Sequence, residues 1–238
     1  MNLLVSDRES EADRALTLLR DEIIAGAIEP NTKLKVQHLS KRYGVGTTPL
    51  RDALTQLAAT GLIVRSSQRG FHVPGLSQAK WADLMATREI LETEALRLAV
   101  ESPTAEWEDS IVSTFHLLAR EIERLFQQDT NSIQKFWYRH VEFHAAVISA
   151  CPLDNLKSLV ATLYTRMIPY RRLTLTDEYS KKRLIQSHET LMRAVLDRDN
   201  ELEAVMREHI RGNKDIIQQV MSKFGIIGDE GVTAGSRR

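Results

Sequence analysis

The stretch from Leu39 to Val73, LSKRYGVGTTPLRDALTQLAATGLIVRSSQRGFHV, narrows the possible folds more than any other part of this chain. A short helical run ends at Tyr43. Gly44-Val45-Gly46 then makes a tight turn, since glycine takes positive φ without a steric penalty. Thr47 or Thr48 is placed to cap the next helix, and Pro49 suits a first turn, where a missing N–H matters least. That second helix carries Leu50, Ala53, Leu54 and Leu57 on one face and Arg51 and Thr55 on another, and Gly61 ends it. Leu62-Ile63-Val64 and Phe71-His72-Val73 read as two short strands around the polar turn Ser66 to Gly70. Helix, glycine turn, capped helix and hairpin together make a winged helix-turn-helix.

Such a module is either a structural helix pair or a reader of DNA, and charge separates the two. From Asn31 to Leu76 there are seven basic residues (Lys33, Lys35, Lys41, Arg42, Arg51, Arg65, Arg69) and one acid, Asp52, for a net charge of +6. The whole chain is neutral, so the remainder carries −6. A local basic patch on a balanced protein is the electrostatic footprint of a DNA-binding module. The second helix would enter the major groove by its N-terminal end. Thr47 and Thr48 lie there beside N–H groups that favour phosphate, and Arg51 is one turn on, within reach of a phosphate or a guanine edge. Gln68, Arg69 and Gly70 at the hairpin tip are placed to approach the DNA backbone or minor groove.

After Pro74-Gly75-Leu76 the pattern changes. Ser77 is a suitable N-cap, and from there on glycines are few and apolar stripes recur at helical spacing. Helices are expected over 81–100, from 103 to about 128, 131–150, 153–168 with a break at Pro169, 177–197 and from 201 to about 224. An earlier amphipathic helix covers Arg14 to Gly26, after a polar, frayed start. The expected fold is therefore mainly α. Residues 10–76 form the winged helix-turn-helix, 77–224 an all-α bundle, and the Gly-rich 225–238 a disordered tail. Cys151 is the single cysteine, which rules out an internal disulfide and suits a small buried hydrophobe. The N-terminus is too acidic for a signal peptide, and no run reaches the roughly 18–20 apolar residues of a membrane helix, so a cytoplasmic location is expected.

Four histidines in the helical half stand out. His140 and His144 are four apart and share a helix face. His188 lies nine residues before Asp197, and His209 nine residues after Asn200. Antiparallel helices joined at that turn bring the last two to the same height, about 14 Å from the loop. On spacing alone these imidazoles read either as satisfied core residues or as a metal site for Zn²⁺, Ni²⁺, Cu²⁺ or Fe²⁺. Catalysis would also need a placed base, and Glu142, Glu189 and Glu208 all point away from the histidine faces, which argues against a metalloenzyme.

IIAGAIEPNTKL, YGVGTTPLRDALTQLAATGLI and RGFHV resemble the GntR family of bacterial transcription regulators, whose usual run is a G-x-x-x-PG-x-x-L lead-in, VSRTPVREAL, LxxxGL and a wing ending GxxV. Thr48 and Arg51 match positions that contact DNA in that family, and Gln37 stands where one branch uses an Arg. Gly46 and Thr47 replace the usual Ser and Arg at the start of the recognition helix, which removes the usual Arg contact. REILETEALRLA (88–99), HVEFHAAVISA (140–150) and SHETLMRAVLDRDNELEAVMREHI (187–210) are similar to the FadR-type ligand-sensing domain, FCD. The resemblance spans about residues 14 to 222.

The resemblance implies a divalent metal held by His144, His188 and His209, with His140 where the family has Asp. The change removes a negative charge and favours a Zn²⁺- or Ni²⁺-like ion over Mg²⁺ or Mn²⁺. It further implies a small carboxylate effector on that metal, clamped by Arg88, with Arg166 and Tyr170 near the Pro169 break as further lining. The residues themselves leave Arg88 open between that role and an ion pair with Glu92, Glu89 or Asp83, and Arg166 open to a solvated basic face. The expected function is a homodimeric regulator on a pseudo-palindromic operator in double-stranded DNA, a repressor released by its effector. The alternatives are a regulator for which the metal itself is the signal and the disfavoured metalloenzyme.

Overall fold

The computed structural model describes residues 10–67, 70–125, 132–171, 178–223 and 226. The expected wing-tip contacts Gln68 and Arg69, and the expected disordered tail apart from residue 226, lie outside the described residues. The chain divides into two compact units, Met1–Pro74 and Gly75–Arg238. Among the described residues no helix is long and apolar enough to cross a membrane.

The first unit is built on α1 (Glu11–Ala25), β1 (Lys33–Leu34), α2 (Val36–Tyr43), α3 (Thr47–Thr60), β2 (Val64–Ser66) and β3 (Gly70–His72). α1 starts three residues before the expected Arg14, because the Ser10 side chain accepts the Asp13 N–H at 3.1 Å and caps it. Leu19, Ile23 and Ile24 from α1 meet Leu50, Ala53, Leu54 and Leu57 from α3 in the core. The sheet is antiparallel in the order β1-β3-β2, with Leu34 opposite Phe71 and Val64 opposite His72. The second strand therefore begins two residues later than the apolar run Leu62-Ile63-Val64. Leu62 and Ile63 are buried beneath the sheet, and pairing starts only at Val64, opposite His72. The lead-in contributes β1, which a two-residue strand gives little periodicity to reveal.

Neither Thr47 nor Thr48 caps α3. Gly46 is its N-cap, and the side-chain acceptor comes from α1: Glu11 Oε2 accepts the Gly46 N–H at 3.0 Å. Arg14 in turn donates to the Tyr43 and Gly44 carbonyls, at 2.7 and 3.3 Å. One helix thus holds both sides of the turn, an anion at the start of α3 and a cation at the end of α2, as the helix dipoles favour. Glu11→Ala is expected to lower the stability of this unit by about 1 kcal/mol, the usual worth of a cap, measured by urea unfolding. An unchanged midpoint would remove Glu11 from that role.

The second unit contains α4 (Gln78–Ala99), α5 (Ala105–Leu125), α6 (Ser132–Val147), α7 (Asp154–Arg171), α8 (Glu178–Leu196) and α9 (Leu202–Lys223). Ser77 caps α4, accepting the Lys80 N–H at 3.3 Å. α4 packs on α7 and α9, α5 on α6 and α8, and α8 on α9. α7 runs through Pro169, where a break was expected. The proline lies two residues from the helix end, so it costs one backbone hydrogen bond and bends nothing that must continue. Ile90 is 65% exposed, and the buried phase of α4 runs through Trp81, Met85, Arg88, Glu92, Leu96 and Ala99. That phase carries two charged residues into the bundle core.

Candidate functional site

The α8–α9 turn is closed by Asp199, whose carboxylate accepts the Glu201 N–H at 2.8 Å, with Arg198 at a positive φ of 51°. The hairpin places the His188 and His209 rings 4.6 Å apart, centre to centre. α6 brings His140 and His144 to the same place from the other side. The His144 ring lies 5.4 Å from that of His188 and 5.1 Å from that of His209, and His140 lies 5.1 Å from His188. All four are buried. His140, His144 and His188 each offer a ring nitrogen, all within 4.8 Å of one another. His209 joins through His144, the two Nε2 atoms being 3.3 Å apart.

The hydrogen bonds on the far side of the rings set which nitrogen faces inward. His188 Nδ1 is 2.7 Å from the Leu184 carbonyl, which only accepts, so Nδ1 carries the proton and Nε2 the lone pair. His144 Nδ1 is 2.8 Å from Glu92 Oε1, and the same reasoning leaves its Nε2 as a lone pair. His209 Nδ1 is held by Ser187 Oγ at 2.6 Å. Imidazoles braced from behind, with lone pairs converging in a buried core, have the donor chemistry of a transition-metal site. The residues present therefore fit a divalent ion.

Beside this cluster lies a buried polar ring that the sequence only half disclosed. Arg88 Nε donates to Glu92 Oε2 at 2.5 Å, Arg88 Nη2 to the Tyr164 hydroxyl at 2.6 Å, and that hydroxyl to Glu92 Oε1 at 2.6 Å. Arg88 and Glu92 are fully buried. Burial alone would push the Glu92 carboxyl up, but the Arg88 charge and the His144 contact outweigh it and hold it well below the usual carboxylate range. Burial likewise works against the Arg88 charge, and Glu92 and Tyr164 more than restore it. One edge of the guanidinium is thus committed to its own chain. Nη1, also buried, has no hydrogen-bond partner among the described residues. Nη2 lies 3.4 Å from His144 Nδ1, so the guanidinium borders the histidine cluster directly.

The other two expected effector residues lie elsewhere. The Tyr170 hydroxyl bonds the backbone of Ser77, and its ring packs on Trp81 at 5.0 Å, tying the end of α7 to the start of α4. Arg166 is on the exposed side of α7. The tyrosine that reaches Arg88 is Tyr164, which the sequence reading did not single out. Its neighbourhood to Glu92 and Arg88 spans some seventy positions, 72 and 76 respectively, and no local pattern signals it.

In the first unit, Thr47, Thr48, Arg51, Thr55 and Gln56 are exposed on one side of α3. Gln37, His38 and Lys41 of α2, Lys33 and Lys35 before it, and Arg65 of β2 are exposed as well. Gly70 opens β3 at a positive φ of 68°, with nothing within 4 Å of where a Cβ would sit. The exposed side chains of α2, α3 and the sheet therefore carry the positive charge, with Asp52 as the single acid from Asn31 to Leu76.

Comparison with known proteins agrees with this division. Residues 11–73 match the family model of bacterial regulatory proteins of the gntR type, and residues 83–212 match that of the FCD domain. The uncharacterized HTH-type transcriptional regulator BphR of Paraburkholderia xenovorans is 34% identical over 210 residues, covering 88% of this chain and 84% of its own. The HTH-type transcriptional repressor GlaR of Escherichia coli is 32% identical over 210 residues, covering 86% and 94%. Among solved structures, McbR/YncC of E. coli superposes with a TM-score of 0.73 at 22% identity, over 88% of this chain and 98% of that one, a likeness of fold.

Proposed function

From the premise that the chain belongs to the GntR family of bacterial transcription regulators and carries an FCD domain, we propose that it is a metal-dependent, carboxylate-responsive repressor acting as a homodimer in the cytoplasm. GntR regulators bind DNA, FCD domains bind small effectors, and repressors are among the relatives, so the chain is a transcription regulator and not an enzyme.

The observation that carries the effector reading is Arg88 Nη1, a buried cationic donor with no partner among the described residues, on a guanidinium that touches the histidine cluster. A buried unmet donor costs about 1–3 kcal/mol, which an incoming carboxylate would relieve. An anionic oxygen there would meet Arg88 on one side and an ion held by His140, His144, His188 and His209 on the other. The imidazole-only donor set suits Zn²⁺ or Ni²⁺. When bound, the ion supplies a fixed positive charge that attracts and orients a carboxylate. Arg166 and Tyr170 have no part in this reading, because one faces outward and the other is engaged by Ser77.

On the DNA side, the exposed Thr47 and Thr48 hydroxyls fit phosphate, and Arg51 fits a base edge. Gln37 and Gly70 flank the same helix in sequence. The test is enrichment from a random-sequence duplex pool by metal-loaded protein at physiological salt, followed by challenge with a panel of small carboxylates. The expected result is a two-fold-symmetric site with half-sites about one helical turn apart, released by one class of acid. Arg51→Ala is expected to weaken that site by about 5–150-fold, the worth of one base contact. No enrichment over bulk DNA would end the repressor reading. Release by removal or addition of metal alone would make the ion the signal.

A further inference from the structure

Glu92 bonds Arg88, Tyr164 and His144 at once. One carboxylate oxygen accepts from His144 Nδ1 at 2.8 Å and from the Tyr164 hydroxyl at 2.6 Å, and the other accepts from Arg88 Nε at 2.5 Å. It is completely buried, so water contributes to none of these bonds. We propose that Glu92 is the positioning residue that joins the metal site to the effector site. Its carboxylate fixes the His144 tautomer that presents Nε2 to the ion. Together with Tyr164 it also turns the Arg88 guanidinium so that Nη1 is the donor left for the effector. This inference rests on the metal-site reading above.

The chemistry is specific to a carboxylate. Both oxygens act as acceptors, from three donors on α4, α6 and α7. A glutamine keeps one acceptor and would direct an N–H₂ group at another donor. A carboxylate behind an imidazole also raises its basicity as a ligand, and removing such a partner typically weakens metal binding about 10–100-fold. The bland alternative is that Glu92 merely neutralises Arg88. The two differ in what happens when both charges are removed together. A counter-ion is no longer needed once the guanidinium is gone, whereas the orientation of His144 still requires an acceptor.

The experiment uses the full chain and Zn²⁺ alone, titrated against a chromophoric chelator. Glu92→Gln or Arg88→Met by itself leaves a buried charge uncompensated and risks misfolding, so the charge-balanced pairs Arg88→Met/Glu92→Leu and Arg88→Met/Glu92→Gln are compared with each other and with the wild type. The expected result is a Kd for Zn²⁺ about 10–100-fold weaker in the Glu92→Leu pair, with partial recovery in the Glu92→Gln pair, whose amide oxygen still accepts from His144. Histidine ¹⁵N spectra of the metal-free protein should show His144 with its proton on Nδ1 in the wild type and lose that preference in the Glu92→Leu pair. Wild-type Zn²⁺ binding together with an unchanged Kd in the Glu92→Leu pair overturns the positioning role and leaves the metal site standing. A wild type that binds neither Zn²⁺ nor Ni²⁺ overturns both.

Discussion

Arg88→Met is expected to lower the stability of the helical unit by about 3–5 kcal/mol, the usual cost of removing one partner of a buried ion pair. For a unit of this size that corresponds to a fall in Tm of about 6–20 °C. The reason lies in the partners left behind. Glu92 keeps a charge in a fully buried position, with only Tyr164 and His144 among the described residues to stabilise it. The Tyr164 hydroxyl loses the donor at 2.6 Å that completes its ring. Arg88→Met/Glu92→Gln should recover most of the loss, since well-packed neutral replacements of a buried pair are often neutral or stabilising. Thermal unfolding of the metal-free proteins checks this. An Arg88→Met variant within about 0.5 kcal/mol of wild type, the range typical of surface substitutions, would mean that the pair is not buried in solution.

The second large effect concerns the ion. Zn²⁺ at about a hundred times its Kd should stabilise the wild-type native state by about 2.7 kcal/mol, seen as a rise in Tm of about 5–10 °C. His144→Ala and His188→Ala are each expected to abolish that rise. Both residues have Nδ1 bonded to an acceptor behind the ring and Nε2 directed into the cluster, so each substitution deletes a ligand and leaves no charge stranded. His116, on α5 away from the four-ring cluster, is the control, and His116→Ala should keep the full response. If either ligand variant retained the wild-type rise at equal Zn²⁺, that imidazole would leave the ligand set. If both did, the stabilisation would come from adventitious surface binding.

These two predictions draw on different depths of information. The recognition helix, its turn and the hydrophobic face beneath it are encoded within about twenty consecutive residues. Glycine conformation, the position of Pro49 and the spacing of Leu50, Ala53, Leu54 and Leu57 are local properties, so they were readable before any coordinates. The same locality misplaced the cap. Thr47 and Thr48 are good capping residues by type, but the acceptor used is Glu11, 35 positions away. The pairing of His188 with His209 was legible for another reason: a short turn between two helices makes equal sequence offsets into equal heights.

Arg88 and Glu92, four apart on one helix, could be read as a pair from sequence. What spacing does not give is burial, and burial turns a weak surface ion pair into the polar heart of the bundle. The effector lining shows the limit most clearly. Tyr164, Arg166 and Tyr170 all lie on α7 near its proline. At roughly 100° per residue, two positions rotate a side chain to nearly the opposite face, and six positions rotate it by about 240°. Of the three, Tyr164 is the one that reaches Arg88 and Glu92, while Tyr170 meets α4 at its other end through Ser77 and Trp81, and that outcome depends on how α7 is rotated against its neighbours.

The chain by itself determined the order of elements, the basic winged module, the helical unit that follows it in sequence and the four histidines, because each follows from periodicity, turn chemistry or a short hairpin. The tertiary structure alone decided that Glu92 and Tyr164 bond Arg88 beside the histidines, that Tyr170 bonds the start of α4, and that Arg88 Nη1 has no hydrogen-bond partner among the described residues. Those outcomes depend on the relative rotation of packed helices and on the exclusion of water, and neither is a property of any contiguous stretch of sequence.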